Sequence, residues 1–510
     1  MTDYRLVDGG MIEIVERAAL YADQPAIITP EGALAYSDLV EYSARVASAM
    51  LHHRIDLDSA RVAFLTSAGY HYVVAQWGIW RAGGIAVPLA TSHPVPELER
   101  IIRDCSPELI LCDSPFEQRA REVGDRCDVP VRTVDDAMTA AAGMHPTVSD
   151  DRPAMIIYTS GTTGQPKGVV TTHANIGAQI NSLVEAWEWS PDDRTLLVLP
   201  LHHVHGVINV VGCALWSGAI IDVAVPFDAA RTWARLAEGD VTVFMAVPTV
   251  YRRLIDAWDA MSRTDQQRAA TACYGMRLFV SGSAALPARV LDRWRGMTGH
   301  TLLERYGTSE TGMVLSNPLH GERRAGSVGN ALPGVAVRLG GRGDRGDMGD
   351  EVERREGEIL VLGETVFREY WNRPEETAAA FDGDWYKTGD VALLENDSYR
   401  ILGRQSVDII KTGGYKVSAL EIEEVLRDHP AISDCAVVGM PDEEWGERVC
   451  AAIEGVGDAA AGDDEIRSWA KARLAPYKVP RSIVHVDALP RNAMGKVVKS
   501  DVRKLFEGDE

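Results

Sequence analysis

The sequence predicts an α/β protein: a large N-terminal domain of parallel α/β subdomains plus a β-rich subdomain, then a small α+β C-terminal domain. Three observations carry this expectation. Short apolar runs rich in β-formers alternate with longer stretches of helical period over roughly the first three hundred residues. The strand candidates are, in order, RVAFLTS (61–67), GIAVPLA (84–90), ELILCD (108–113), AMIIYTS (154–160), TLLVLP (195–200), VTVFMAVP (241–248) and RLFVSGS (277–283), and VEYSARVASAML (40–51) and VVAQWGIWRAG (73–83) are of the helical kind. Such alternation implies parallel sheets covered by helices, with ligands at strand ends, where Ser, Thr, Gly and Pro cluster here. Beyond about residue 320 the texture turns to short strands and turns, and the Gly- and charge-rich GRGDRGDMGDEVERREGE (341–358) reads as a solvated hairpin loop. A last boundary falls near ILGRQSVD (401–408), dividing residues 1–403 from an α+β unit at 404–510.

The 510 residues carry 52 Lys and Arg against 74 Asp and Glu, a formal charge of −22, with 46% hydrophobic and 25% charged residues, the profile of a folded globular chain. The acidic balance argues against nucleic acid or an anionic membrane as a main partner, since both select cationic faces. Seven cysteines without a C-x-x-C pair indicate neither a disulfide framework nor a zinc site. The first twenty residues lack a secretory or transit pattern, and the expected location is cytoplasmic. From Thr195 to Ile221 there is no formally charged side chain, but Pro200, three histidines and Asn209 make a buried strand, turn and core helix the better reading than a membrane span.

The richest motif is YTSGTTGQPKG, Tyr158 to Gly168. Glycines let backbone N–H groups approach an anion, hydroxyls add donors and a lysine adds charge, which is the chemistry of a polyphosphate cradle. No G-K-[ST] closes it, so it is not a Walker A loop. In ERYGTSETG (304–312), Tyr306 offers a stacking face for a base and Glu310 a hard oxygen ligand for a cation.

At these residues the chain resembles the adenylate-forming acyl-CoA synthetases, the family that includes firefly luciferase and the adenylation domains of peptide synthetases. GSAALP (282–287), WYKTGD (385–390), GRQSVDIIKTGGYKVS (403–418) and PRNAMGK (490–496) match in family order, so the resemblance spans nearly the whole chain. It implies ATP, Mg²⁺ and coenzyme A. ATP is expected at Thr159, Ser160, Gly161, Thr162, Thr163, Gly164 and Lys167, at Ser283 and Ala284, and at Glu304, Tyr306, Gly307, Thr308 and Ser309. Asp390 is expected on the ribose with Arg404 in support, and Glu310 on Mg²⁺. Lys496 would reach from the small domain to the carboxylate and α-phosphate during adenylation. That domain is mobile in the family: it would rotate about a hinge, here Ser406, and present Lys411, Gly413, Gly414 and Tyr415 to CoA.

For the acyl pocket the resemblance points to His205, Ser281 and Met313. Two arginines stand out beside them. Arg253 follows VPTVY at what reads as a buried helix start, and Arg305 precedes Tyr306 where most relatives carry a small or neutral residue. A buried guanidinium is costly unless paired and suits a second carboxylate. These features resemble the malonyl-CoA synthetase branch, which implies a dicarboxylic acid substrate, malonate or methylmalonate, the alternatives being another short or medium carboxylic acid or the loading of a carrier protein. The same reading expects no carrier protein, no nucleic acid and no stable membrane insertion.

Overall fold

The computed structural model describes residues 12–30, 32–160, 166–340, 355–456, 461–492 and 495–507. Its strands pair into four sheets among these residues. The seven-stranded sheet runs in space as Glu369–Tyr370, Pro166–Thr172, Pro153–Ser160, Ile85–Pro88, Arg61–Leu65, Leu109–Cys112 and Val131–Thr133. Its last five strands are parallel. The nine-stranded sheet runs Asn330–Ala331, Gly312–Ser316, Leu303–Thr308, Leu278–Ser281, Val243–Ala246, Arg194–Leu197, Ile220–Val223, Pro25–Thr29 and Gly32–Ala35. It is parallel from Leu303–Thr308 to Pro25–Thr29. All seven expected apolar runs are strands here, joined by others such as Pro25–Thr29 and Ile220–Val223 that the runs did not mark, and the α/β class is met.

One apolar core joins the two sheets, holding Val62 and Met155 from one and Leu196, Phe244 and Val280 from the other. The helices between them show why. In Tyr70–Arg81 every residue from Tyr72 to Trp80 is buried, the signature of a helix packed on all sides. By contrast, Val95–Cys105 buries Leu98, Ile101, Ile102 and Cys105 on one stripe and stops at Ser106 in the left-handed region. The helix His173–Trp187 starts with reciprocal capping, Asn175 N to Thr172 Oγ1 at 3.1 Å and Thr172 N to Asn175 Oδ1 at 2.9 Å.

The charge-free stretch folds as expected, a buried strand and a core helix, with an added feature. His205–Gly212 is a π-helix that runs into Cys213–Ser217, and π geometry recurs at functional sites. No helix among the described residues is long and apolar enough to cross a membrane.

A five-stranded antiparallel sheet, including Val335–Gly340, Arg355–Gly363, Trp385–Glu395 and Ser398–Arg404, forms the β-rich part. The first two strands flank the Gly-rich segment, most of which (341–354) lies outside the described residues. The last sheet, Tyr415–Ser418, Ile409–Thr412, Gly446–Gly455, Ile432–Asp442 and Ser482–Val486, closes a separate apolar core with the helices Ala419–Arg427 and Asp463–Lys471.

Candidate active site

Two parallel strands, Leu278–Ser281 and Leu303–Thr308, bring the acyl-pocket candidates together, with Ser281 beside Glu304 in register. Alternation along a strand turns Glu304 and Arg305 to opposite faces. The Arg305 guanidinium lies flat against Gly282, where a Cβ would come within 2.5 Å of Nε and Cζ. Only glycine permits that approach. Arg305 Nη2 donates to Ser283 Oγ at 3.4 Å, while Nε and Nη1 are buried without a partner. Burial lowers its pKa to about 9, with no carboxylate countering it.

His205, first residue of the π-helix, places Nδ1 3.2 Å from the same Ser283 Oγ. Burial, then the charges of Arg305, Lys496 and His203, hold the imidazole pKa well below its usual value, so it is neutral. Ser283 already accepts from Arg305. Its hydroxyl also meets His205 Nδ1, and His205 Nε2 is buried with no partner among the described residues. Ser281 Oγ is likewise buried and unpartnered. Met313 is buried, its backbone N donates to Gln179 Oε1 at 2.5 Å, and its methyl lies against Gly307.

Arg253 does not join this group. The helix Pro248–Asp259 buries Pro248, Val250, Tyr251, Leu254 and Trp258, and at 100° per residue that phase turns Arg253 to solvent, where it is exposed. The expected buried position is thereby corrected.

Lys496 enters from the C-terminal part. Asn492 clamps its loop from both sides, Oδ1 accepting from Lys496 N at 3.0 Å and N donating to Lys496 O at 2.9 Å. The residue remains open to solvent, yet its ammonium is crowded by protein in the cleft. That crowding, then the charges of Arg305 and Arg404, lowers its pKa to about 8, against a smaller opposing pull from Asp390. Lys496 thus shares the field of the acyl pocket and of the nucleotide candidates at once.

At the nucleotide end, Asp390 Oδ1 accepts from Arg404 Nε at 3.0 Å and Oδ2 from Tyr306 Oη at 2.6 Å. The three expected nucleotide residues form one hydrogen-bonded unit, with the phenol held in place beside the ribose candidate. Thr159 pairs with Lys167 across the hairpin that bears the Gly-rich turn. Gly161 to Gly164, including Thr162 and Thr163, lie outside the described residues, and so does the Ser160 side chain. Lys167 is ion-paired to Glu376 and sits 5.4 Å over the Tyr370 ring, and Tyr370 Oη donates to Glu310 Oε1 at 2.9 Å. The phosphate candidate Lys167 and the metal candidate Glu310 are therefore one ring apart. Thr308 and Thr311 exchange hydroxyl and backbone bonds across the turn that holds Ser309 and Glu310.

Ser283 and Ala284 occupy a bend open to the cleft. Glu304 engages that loop from beneath: Oε1 accepts from Leu286 N at 3.3 Å, and burial raises the carboxyl pKa to about 8. Burial thus favours its protonated form, and its bond to Leu286 fastens the loop. Magnesium is usually held by one or two carboxylates plus substrate phosphates, and Glu310 between Lys167 and the Thr308 turn meets that description.

The hairpin Lys411 to Lys416 has its Lys411, Gly413, Gly414 and Tyr415 exposed, with Tyr415 stacked on Tyr477 at 4.2 Å and 7°. Ser406 is exposed in the turn between Arg404 and Ile409. Asp408 ties that turn, accepting from Arg404 N at 3.0 Å.

Sequence reasoning passed over Gly282, the seat of Arg305, because no local pattern shows which side chain a glycine will accommodate. It also passed over Asn209, buried with both amide ends unpartnered among the described residues. The signal was there: an amide inside a charge-free apolar stretch.

Two family descriptions match this chain, "AMP-binding enzyme" over residues 14–371 and "AMP-binding enzyme C-terminal domain" over residues 421–496. The mouse protein named malonate–CoA ligase ACSF3, mitochondrial, is 43% identical over 97% of this chain and 91% of its own length. ATP-bound MatB from Rhodopseudomonas palustris superposes with a TM-score of 0.87 at 33% identity, covering 98% of this chain and 99% of that one. A malonyl-CoA ligase ternary product complex with methylmalonyl-CoA and AMP superposes at 0.68 with 36% identity, over 92% and 97% of the two chains. The mitochondrial designation of the mouse relative overturns the cytoplasmic expectation.

Proposed function

This chain belongs to the AMP-binding enzymes, and from that premise we propose that it is an ATP-dependent malonate–CoA ligase. In the first step a malonate carboxylate oxygen attacks the α-phosphorus of ATP, forming malonyl-adenylate and releasing pyrophosphate. In the second the CoA sulfur attacks the acyl carbonyl, its thiol proton is lost, and AMP departs. The observation that carries the substrate is Arg305: buried, charged, with two N–H-bearing nitrogens unpartnered and no carboxylate in contact among the described residues. Malonate supplies the missing partner with one carboxylate and presents the other to Lys496. A monocarboxylic acid leaves the guanidinium unpaired, at a cost of roughly 1–3 kcal/mol or more.

His205 Nε2 and Ser281 Oγ add hydrogen bonds around the acid, and buried Met313 limits its depth. Tyr306, Asp390 and Arg404 hold the nucleoside, and Lys167 leaves Glu376 for the phosphates. Lys496 stabilises charge on the reacting carboxylate and α-phosphate as the bond forms. Glu310 would hold Mg²⁺, which would supply charge neutralisation on the phosphates. After adenylation the domain from residue 404 onward turns about Ser406, withdraws Lys496 and brings Lys411, Gly413, Gly414 and Tyr415 to the CoA path. The higher TM-score to the ATP-bound relative than to the product complex supports reading the present arrangement as the adenylating one.

The test is a competition: protein, Mg-ATP and CoA with equimolar acetate, propionate, butyrate, malonate, methylmalonate, succinate and octanoate, thioesters identified by mass. Malonyl-CoA, with methylmalonyl-CoA second, is expected to dominate. A dominant monocarboxylic thioester overturns the dicarboxylate reading, and pyrophosphate release without any thioester overturns the CoA step.

A further inference from the structure

The loop that carries Lys496 is fastened at two points, both acidic. Asp434 pairs with Arg491, whose Nη1 donates to Gly495 O at 2.8 Å, next to Lys496. Glu454 Oε2 accepts from Leu489 N at 3.3 Å, at the start of the same loop. Asp434 is itself held by Arg427 Nε at 2.8 Å, and Glu454 Oε1 by Ser433 Oγ at 3.2 Å. Both carboxylates thus belong to the C-terminal unit and set the loop's shape.

Across the cleft, both face one residue of the N-terminal domain. Arg252 reaches Asp434 Oδ2 at 3.6 Å through Nη1 and Glu454 Oε1 at 3.9 Å through Nη2. It stands one helical turn from Thr249, and Gly495 packs against Thr249, a Cβ there lying 3.6 Å from Oγ1. The Arg252 side chain is 40% exposed, so the contact forms and breaks at little desolvation cost. The two acids that shape the Lys496 loop therefore also touch the opposite domain.

We propose that Arg252 is a positioning residue for adenylation: it clasps Asp434 and Glu454, seats the Lys496 loop on the Pro248–Asp259 helix, and releases it when the small domain turns for thioester formation. Among the described residues Arg252 pairs with Asp434 and Glu454 and with none of the acyl-pocket or nucleotide candidates. Its action is to raise the fraction of molecules in which Lys496 lies in the cleft. This rests on the two-step reading above, and it predicts a separation of the two half-reactions that a residue needed only for folding would not produce.

The experiment compares Arg252→Ala, Arg252→Glu and Arg252→Lys in the full chain. Adenylation is read as malonate-dependent exchange of labelled pyrophosphate into ATP, and the second step as malonyl-CoA formation from synthetic malonyl-adenylate and CoA. Arg252→Ala is expected to slow exchange roughly two- to fivefold, Arg252→Glu by about tenfold or more, since it sets like charges together, and Arg252→Lys to restore most of the rate. The second half-reaction is expected to be unchanged or faster in all three. Equal losses in both half-reactions, or exchange unaffected by Arg252→Glu, overturn the proposal. If the wild-type protein exchanges with another acid and not with malonate, the substrate reading fails alone, and the Arg252 comparison is run with that acid.

Discussion

Two arginines, both enclosed by protein, sit in opposite electrostatic circumstances. Arg427 in the C-terminal unit contacts Asp434 Oδ1 at 2.8 Å, Glu423 Oε2 at 3.0 Å and the Cys435 carbonyl at 3.0 Å. Burial pulls its pKa down, but the charges of Cys435, Glu423 and Asp434 outweigh that and hold it above the ordinary value. Arg305 in the N-terminal domain has one long bond to a serine hydroxyl, and burial alone acts on it. A folded chain tolerates a desolvated cation in either of two ways: by supplying its anions, or by leaving the place for a ligand that brings them. The first is structure and the second is a site.

Replacing each arginine by leucine separates the two cases most sharply. Arg305→Leu is expected to lower kcat/KM for malonate roughly 100-fold or more, because a buried substrate charge loses its partner. It leaves stability unchanged or raised, since an unpaired buried charge is removed. Arg427→Leu is expected to do the reverse, leaving the malonate preference intact while destabilising the fold by about 3 kcal/mol, as Glu423 and Asp434 lose a shared cation. Denaturant unfolding and steady-state kinetics on both variants check this, and a shared stability loss would erase the distinction.

Gly282→Ala tests the seat of Arg305 without touching its charge. The added Cβ must displace a guanidinium that lies 2.5 Å away, and the expected result is about a tenfold fall in kcat/KM for malonate, with KM for ATP little changed. The competition assay then reports whether the displaced cation still selects a dicarboxylate.

The smallest effect expected is on pH. With the Lys496 pKa lowered to about 8, kcat/KM for adenylation should decline as pH rises through about 8, before Arg305 titrates at about 9. Bound ATP and malonate add negative charge, so the limb in kcat should lie at higher pH than the limb in kcat/KM. Stability runs the other way. Between about 8 and 10.5 the unfolded chain holds the Lys496 proton that the folded one has released, so this group's contribution to stability increases with pH there. A pyrophosphate-exchange profile flat from pH 7 to pH 9 would show that Lys496 does not experience the cation-rich pocket.

Much of the site was legible in the sequence because its pieces are contiguous. The Gly-rich hairpin, ERYGTSETG, KTGD and PRNAMGK each carry their chemistry within a few residues, although KTGD, which reads as a turn, lies inside the strand Trp385–Glu395. Arg305 was legible as an arginine where a neutral residue is usual. Its neighbour in argument, Arg253, was not: VPTVYRRLI offers two consecutive arginines, and only the phase of the helix decides that Arg252 meets the other domain while Arg253 faces solvent. The π-helix was hidden as well, since five-residue hydrogen bonding leaves no mark in composition.

By itself, then, the sequence determined the α/β class, seven of its strands in order and the candidates for the nucleotide, because local periodicity and local motifs are properties of neighbouring residues. What the tertiary structure decided was which charges are paired. Arg427 finds Asp434 seven residues on, while Arg305 is brought beside His205, Ser283 and Lys496 from distant parts of the chain and is given no anion among the described residues. Whether a buried cation is satisfied depends on distances through space and on the water removed around it, and neither is a property of sequence spacing.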